Sequence, residues 1–297
     1  MTTGASLQVR PITRESLREL LIAYRAENWN GIQTLDTQLQ IAESMLDPDA
    51  ELVLRQVAQV WTIPSQARIL DIGSGVGGFV TGCQQLGYRA VGVEPDRIGI
   101  GGRVTSIQIA SRRLSSNVFA AAVGEALPFA DGTFDLVTLN QVVEHVADQI
   151  AVLREAARVV RPGGAIYVAC PNYLRFYEPH YKIFWCPLLP KALGRIYLRL
   201  RGRNPVMLHS LYYTTNWRVR RWLAALGKEY QVLDLHHEQF KRKCSGQGRF
   251  ESTAARFVQK VISLPIVGPL ARRAALFWFQ VREGGVEMLV LRRGGAE

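Results

Sequence analysis

The residues of this chain with the clearest chemical potential lie between Ala67 and Phe79, in the run Ala-Arg-Ile-Leu-Asp-Ile-Gly-Ser-Gly-Val-Gly-Gly-Phe. A short apolar strand carries Asp71 and runs into glycines at alternate positions, Gly73, Gly75 and Gly77. Glycine accepts positive φ and lets backbone N–H groups approach a ligand closely. The helix predicted from about Val76 to Leu86 points its positive end at the same turn. Such a turn suits a nucleotide-like cofactor; the plainer reading is a tight turn that binds nothing. Glu94 favours the first, because it follows Gly73 by 21 residues, at the end of the next strand-like run, Tyr88 to Glu94. An acid so placed accepts hydrogen bonds from ribose hydroxyls.

Two histidines are candidates for proton transfer, since imidazole titrates near neutral pH. His180 lies in an aromatic and basic segment, Tyr173 to Trp185, and is either a general base or a side chain packing that segment onto the core. His145, within Val143-Glu144-His145-Val146, is either catalytic or fixes the start of the following helix. His236 and His237 fall in a predicted strand and read as structural.

The elements that must position these groups alternate. Strands are predicted at 68–72, 89–94, 117–121, 134–140 and 165–170, with later ones at 231–237 and 286–292. A helix spans Ile150 to Val160, closed by Pro162-Gly163-Gly164. Residues 14–62 read as helical, with Leu17, Leu20, Leu21 and Tyr24 on one face and Leu52, Val53, Val57 and Val60 on another. Alternation of this kind predicts an α/β fold with a doubly wound parallel sheet. Ligands bind such sheets at the carboxyl ends of the strands, where Gly73, Glu94, Asn140 and Asn172 fall.

The chain of 297 residues is 48% apolar, enough for one large core with an insertion. No apolar run reaches the roughly 18 residues that cross a bilayer, and Met1 to Arg10 lacks the apolar stretch of a signal peptide. Four scattered cysteines (Cys83, Cys170, Cys186, Cys244) without a CxxC pair argue against a zinc site or disulfide framework. They fit a reducing cytoplasm. The charge is uneven. Between Pro179 and Lys228 there are ten Lys or Arg and no Asp or Glu. Residues 179–282 hold 19 basic and four acidic residues, a net +15, so the remainder carries −4 of the overall +11. A basic half implies an anionic partner, or simply a solvated basic surface.

Gly73, Gly75 and Gly78 also satisfy the dinucleotide fingerprint G-x-G-x-x-G, so the first loop and Glu94 alone fit NAD as well as S-adenosylmethionine. Three further segments separate the two. They are Val91-Gly92-Val93-Glu94-Pro95-Asp96; Gly124-Glu125-Ala126-Leu127-Pro128-Phe129 with Asp131 to Val137; and Leu153-Arg154-Glu155 through Arg158 to Gly164. With Leu70 to Gly75, their order and spacing across residues 67–173 resemble the class I S-adenosylmethionine-dependent methyltransferases, of the quinone and small-molecule type.

The resemblance implies a Rossmann-like seven-stranded sheet with an antiparallel last strand at 286–292. It implies S-adenosyl-L-methionine as cofactor. Gly73, Ser74 and Gly75 would line its methionine portion, with Asp71 orienting the amino-acid end. Glu94 would accept from the ribose hydroxyls, Pro95 and Leu127 would flank the adenine, and Asn140 and Gln141 would sit beneath the methyl donor. Many members carry an adenine-binding Asp where this chain has Val123, which leaves Gly124 and Glu125 to read the base. Glu178-Pro179-His180 matches a stretch found in bacterial relatives of this type. No cluster of metal-binding type is visible in the sequence, so metal-free transfer is expected.

The expected organisation is an N-terminal helical segment (1–62), a cofactor-binding core (63–173), a basic aromatic cap over the substrate (174–228), and C-terminal strands with an amphipathic helical insertion (229–297). In the cap, Leu193, Ile196, Tyr197 and Leu200 share one helical face, and Lys191, Arg195 and Arg199 another. Such a helix either packs as a cap or lies on an anionic membrane surface. A second candidate is Phe257 to Phe279. The expected acceptor is a hydroxyl of a small, anionic, lipid-like or lipid-linked molecule (a quinone, isoprenoid or glycan), with the protein in the cytoplasm or peripheral at the inner membrane surface. An RNA methyltransferase is the alternative, because +15 over this region could track phosphates. Against it stands the absence of an Asn/Asp-Pro-Pro-Tyr motif at the fourth strand end, where the sequence is Leu139-Asn140-Gln141-Val142. A non-catalytic S-adenosylmethionine-binding protein is the third reading.

Overall fold

The computed structural model describes residues 13–29, 34–44, 50–95, 106–114, 118–244, 273–274 and 285–294. A seven-stranded sheet organises it. Five strands run parallel: β1 (Arg68–Ile72), β2 (Arg89–Glu94), β3 (Phe119–Ala121), β4 (Phe134–Asn140) and β5 (Val160–Pro171). After them come β8 (Tyr230–Asp234) and β9 (Gly285–Arg292). The spatial order is β3-β2-β1-β4-β5-β9-β8, with β9 antiparallel to both neighbours. This is the Rossmann-like sheet with a reversed last strand that the motifs imply. The order reverses between β1 and β4, so the crevice at their carboxyl ends is the natural ligand position.

Helices cover both faces. On one side α6 (Gln149–Val159) and α8 (Asn216–Ala224) bury Val152, Leu153, Ala156, Val219 and Leu223 against β1, β4 and β5. On the other, α3 (Ala50–Ala58) and α4 (Gly78–Gln85) bury Val53, Leu54, Val57, Val80 and Cys83 against Ile69, Leu136 and Tyr167. Leu52, expected on the inner face of α3, is exposed, and Leu54 takes its place. Two further N-terminal helices, α1 (Arg14–Trp29) and α2 (Leu35–Ser44), pack on each other, with Leu17 and Leu21 buried. Helix α5 (Ser106–Leu114) lies beside β3.

Three boundaries differ from expectation, each for a local reason. Pro162-Gly163-Gly164 does not end a helix but belongs to β5, whose pairing with β4 shifts register between Phe134 and Leu136. A Cβ on Gly164 would stand 2.8 Å from the Asp135 carbonyl, so glycine permits the close approach. The predicted strand 231–237 stops at Asp234, and His236 and His237 begin α9 (Leu235–Cys244). Asp234 Oδ1 accepts the His237 N–H at 3.0 Å and caps that helix. Helix α4 begins at Gly78 rather than Val76, because Gly77 is left-handed at φ 76°.

Residues 174–213 form a cap with its own small core of Tyr181, Ile183, Trp185, Leu198, Leu208 and Leu211. It contains a hairpin, β6 (Tyr177–Glu178) and β7 (Ile183–Phe184), helix α7 (Lys191–Leu200) and a 3₁₀ turn at Pro205–His209. Three hydrogen bonds tie the cap region to the sheet ends: Tyr212 N–H to the Glu144 carbonyl (2.7 Å), Tyr173 N–H to the Thr214 carbonyl (2.9 Å), and Thr214 Oγ1 to the Pro171 carbonyl (2.5 Å).

Candidate active site

The glycine loop leaves β1 at Ile72 and turns through positive φ at Gly73 (71°), Gly75 (51°) and Gly77 (76°). Its backbone donors are spoken for. Gly73 and Ser74 N–H groups donate to the Val93 carbonyl (2.8 and 3.0 Å), and Gly75 N–H donates to Glu94 Oε2 (3.0 Å). Glu94 is therefore drawn over the loop, as its spacing predicts, and fixed there by the loop itself. A Cβ on Gly73 would lie 2.5 Å from Val142 Cγ2, whereas one on Gly75 would meet nothing within 4 Å. Among the described residues the loop is roofed by the Asn140–His145 turn at Gly73 and open at Gly75. Ser74 turns its hydroxyl down against Gly92 of β2, where it is buried with no hydrogen-bond partner among the described residues. Only its backbone remains to line a ligand.

Asp71 is buried at the centre of the sheet and accepts the Thr138 hydroxyl at 2.7 Å from the neighbouring strand β4. Burial pushes its pKa up to about 7; the Thr138 hydrogen bond opposes the shift and the Glu94 charge adds to it. A carboxylate in this position waits for a positive partner. Pro95 is half-buried beside Glu94. Gly124 and Leu127 are buried, Glu125 is half-buried and Val123 is exposed. The 124–131 loop is held from α6. Glu155 accepts the Leu127 N–H (2.8 Å), while Arg158 donates to the carbonyls of Phe129 (2.7 Å) and Leu127 (3.1 Å) and to Asp131 (2.7 Å). The third and fourth sequence motifs are thus one hydrogen-bonded unit.

Asn140 and Gln141 are exposed at the end of β4. Gln141 adopts φ 60°, a left-handed conformation that costs a residue with a Cβ on the order of 1 kcal/mol. Its N–H donates to the Ala169 carbonyl at 2.8 Å, which holds the turn. The turn delivers Glu144 and His145 to the foot of the cap, where they meet His180. The rings of His145 and His180 stand edge to face, centroids 5.1 Å apart.

Glu178 orients His180. Its carboxylate is fully buried and lies 2.7 Å from His180 Nδ1. It also accepts the Tyr173 hydroxyl (3.1 Å) and the Tyr181 N–H (2.6 Å). A carboxylate accepts hydrogen bonds, so Glu178 orients the imidazole through Nδ1. His145 is kept neutral, its pKa pushed down to about 4 by burial and by His180. Burial raises the Glu144 pKa to about 7. Neither Glu144 oxygen has a hydrogen-bond partner from another described side chain, and Oε1 is 3.9 Å from His145 Nε2. One donor atom each from Glu144, His145 and His180 lies within 4.8 Å of the others, a set able to hold a divalent cation.

Sequence reasoning singled out both histidines but not Glu144, Glu178 or Tyr173 as members of one cluster. Glu144 sits beside His145 and Glu178 two residues before His180, and their burial is the signal that only the fold supplies. His236 stays apart, on α9, with Nε2 3.7 Å from Glu287 on β9. A shallow groove lined by Arg68, Gln84, Tyr88 and Val118 lies at the amino-terminal edge of the sheet, away from all of these groups.

A family profile described as a methyltransferase domain matches residues 44–232. The chain is 40% identical over 229 residues to an uncharacterised methyltransferase of Mycolicibacterium gilvum, covering 71% of this chain and 87% of that one. It is 38% identical over 105 residues to a ubiquinone biosynthesis O-methyltransferase of Rhizobium rhizogenes, covering 35% of this chain and 41% of the relative. In fold it resembles phosphoethanolamine N-methyltransferase 2 of Haemonchus contortus, with a TM-score of 0.51 at 15% identity over 94% of this chain and 60% of the other. With the sheet order, the glycine loop and the linked third and fourth motifs in place, the chain belongs to the class I S-adenosylmethionine-dependent methyltransferases.

Proposed function

We propose that this methyltransferase acts on a hydroxyl of a small, anionic, lipid-like acceptor, with His180 as general base. The Glu178–His180 hydrogen bond carries this reading. It orients the imidazole beside the turn that roofs the glycine loop, and a hydroxyl acceptor must lose its proton as it attacks. The relative active in ubiquinone biosynthesis is an O-methyltransferase by name, which supports the same reaction type.

S-adenosylmethionine, when bound, supplies an electrophilic sulfonium methyl. The residues here fit it: a cradle open at Gly75 among the described residues, an acid fixed beside it at Glu94, and a buried carboxylate at Asp71. In this reading Gly73, the Ser74 backbone and Gly75 hold the methionine portion. Asp71 favours the cationic end from below, Glu94 accepts from the ribose, and Pro95, Gly124, Glu125 and Leu127 border the adenine. Asn140 and Gln141 present the strained end of β4 to the transfer path. Orienting acceptor and donor in line supplies much of the rate. His180 takes the acceptor proton, and Glu178 stabilises the imidazolium that forms.

A second version of the site is favoured by one observation, the convergence of Glu144, His145 and His180. A divalent cation bound there would polarise the acceptor hydroxyl and lower its pKa, replacing the His180 imidazole as activator. The two versions separate by chelation. A His180 base keeps its rate in EDTA, whereas a cation site loses activity and regains it with added Mg²⁺, Mn²⁺ or Zn²⁺.

The test of the acceptor class is transfer from methyl-labelled S-adenosylmethionine into fractionated extract. The expected result is label in the lipid-extractable fraction. Label confined to RNA would make this an RNA methyltransferase. Cofactor binding without labelling of any fraction would leave a non-catalytic binding protein.

A further inference from the structure

The cap helix α7 packs by an edge that its sequence pattern does not select. Gly194 and Leu198 are its buried residues, and a Cβ on Gly194 would lie 2.7 Å from Trp185 Cη2. The small glycine lets the helix settle onto Trp185 by that edge. The apolar stripe at i, i+3 and i+7 is left facing outward: Leu193 is 55% exposed, Ile196 54% and Leu200 80%. At 100° per residue these three span about 60° of the helix, well away from the Gly194–Leu198 edge. Arg195 and Arg199 lie between the two and flank the stripe, and Arg201 follows at the helix end. The neighbouring hairpin adds two exposed stacked rings, Phe176 and Phe184, with centroids 5.9 Å apart. Tyr197 joins helix to hairpin by donating to the Phe184 carbonyl at 3.1 Å.

Lone exposed leucines on a monomer are ordinary, but a stripe on one helix beside stacked aromatics is a contact surface. Its charge says what it contacts. No acidic residue lies between Pro179 and Lys228, so a two-fold pairing of this face with itself would set Arg195 and Arg199 near their own copies with no acid of the same segment to neutralise them. An anionic bilayer offers both things the face lacks, hydrocarbon for the leucines and headgroup charge for the arginines. Among the described residues no helix is long and apolar enough to cross a membrane, so α7 would lie in the interface.

We propose that the exposed face of α7, with Phe176 and Phe184, docks on an anionic lipid surface. The same hairpin carries Glu178 and leads to His180, so docking sets the candidate active site close to the bilayer. The docking itself does not depend on which acceptor is methylated. The second candidate, Phe257 to Phe279, lies outside the described residues apart from 273–274.

The full chain is sedimented with phosphatidylglycerol–phosphatidylcholine vesicles and with pure phosphatidylcholine vesicles, at about 50 mM and 500 mM salt. Binding to the anionic vesicles is expected at low salt, falling at least tenfold at high salt and on pure phosphatidylcholine. The triple variant Leu193→Ser, Ile196→Ser, Leu200→Ser should lose binding at least tenfold with an unchanged melting temperature, because these side chains contribute nothing to the cap core. Arg195→Gln with Arg199→Gln should weaken binding and flatten its salt dependence. No sedimentation of the native chain with anionic vesicles would overturn the proposal. So would equal binding by the triple variant, or a native dimer in sedimentation velocity that the triple variant abolishes. Labelling of a water-soluble acceptor would sink the lipid-like reading of the substrate and leave this result standing.

Discussion

At the residue scale the site is a set of buried charges with unfinished bonding. Asp71 shows it most plainly. Its pKa is raised from 3.8 to about 7, so between these values the folded protein holds a proton that the unfolded chain has released. Stability therefore falls as pH rises from about 4 to 7. Asp71→Asn keeps an acceptor for Thr138 and removes the ionisation. In cofactor-free protein its stability advantage in urea unfolding should grow across that window, to on the order of 3 kcal/mol by pH 8. The same variant should bind S-adenosylmethionine more weakly by calorimetry if, as proposed, the carboxylate faces the cationic end of the cofactor. His180→Gln tests the base. Its kcat should fall roughly 10²–10⁴-fold with cofactor affinity unchanged. Glu178→Gln should lower kcat less and shift the pH–rate profile, since it leaves the base present but poorly oriented.

At the element scale the decisive object is the link between α6 and the 124–131 loop. Arg158 gathers Leu127, Phe129, Asp131 and Glu155 around one guanidinium. The sequence displays these as separate motifs, and the structure links them: one presents the loop and the other clamps it. Asp131 is largely exposed, so its ion pair adds little. The loop carbonyls and Glu155 are the partners that matter. Arg158→Ala should cost about 1–2 kcal/mol. It should also speed amide exchange at Leu127 and weaken cofactor binding while leaving β1 and β4 protected.

At the scale of the whole molecule the cap has a core separate from the two that sandwich the sheet. Trp185 is its largest fully buried side chain. Trp185→Ala should loosen the cap by about 3–5 kcal/mol, open 174–213 to limited proteolysis and abolish methyl transfer. Cofactor affinity should survive, since the glycine loop and Glu94 stand on the sheet. Loss of cofactor binding together with activity would show that cap and core fold as one unit.

The sequence by itself determined the sheet and the cofactor. Parallel strands buried on both faces read as short apolar runs, and the glycine loop, Glu94 and the Arg158-linked motifs are local patterns whose spacing the backbone must respect. Their alternation led to a parallel doubly wound sheet, and the family resemblance of the motifs implied the seven strands and the reversed strand β9. Local pattern ran short wherever a residue's partner lies far along the chain. His180 was visible as an imidazole, but its orientation depends on the buried Glu178 and on the β4 turn that brings His145 beside it. Glu144 read only as a neighbour of His145 until the fold showed its carboxylate fully buried beside His145 and His180. Helical periodicity found the Leu193–Leu200 stripe but could not say which way it faces. Tertiary structure decided that, because Gly194 permits a closer approach to Trp185 than any leucine would, and the apolar stripe was left outside.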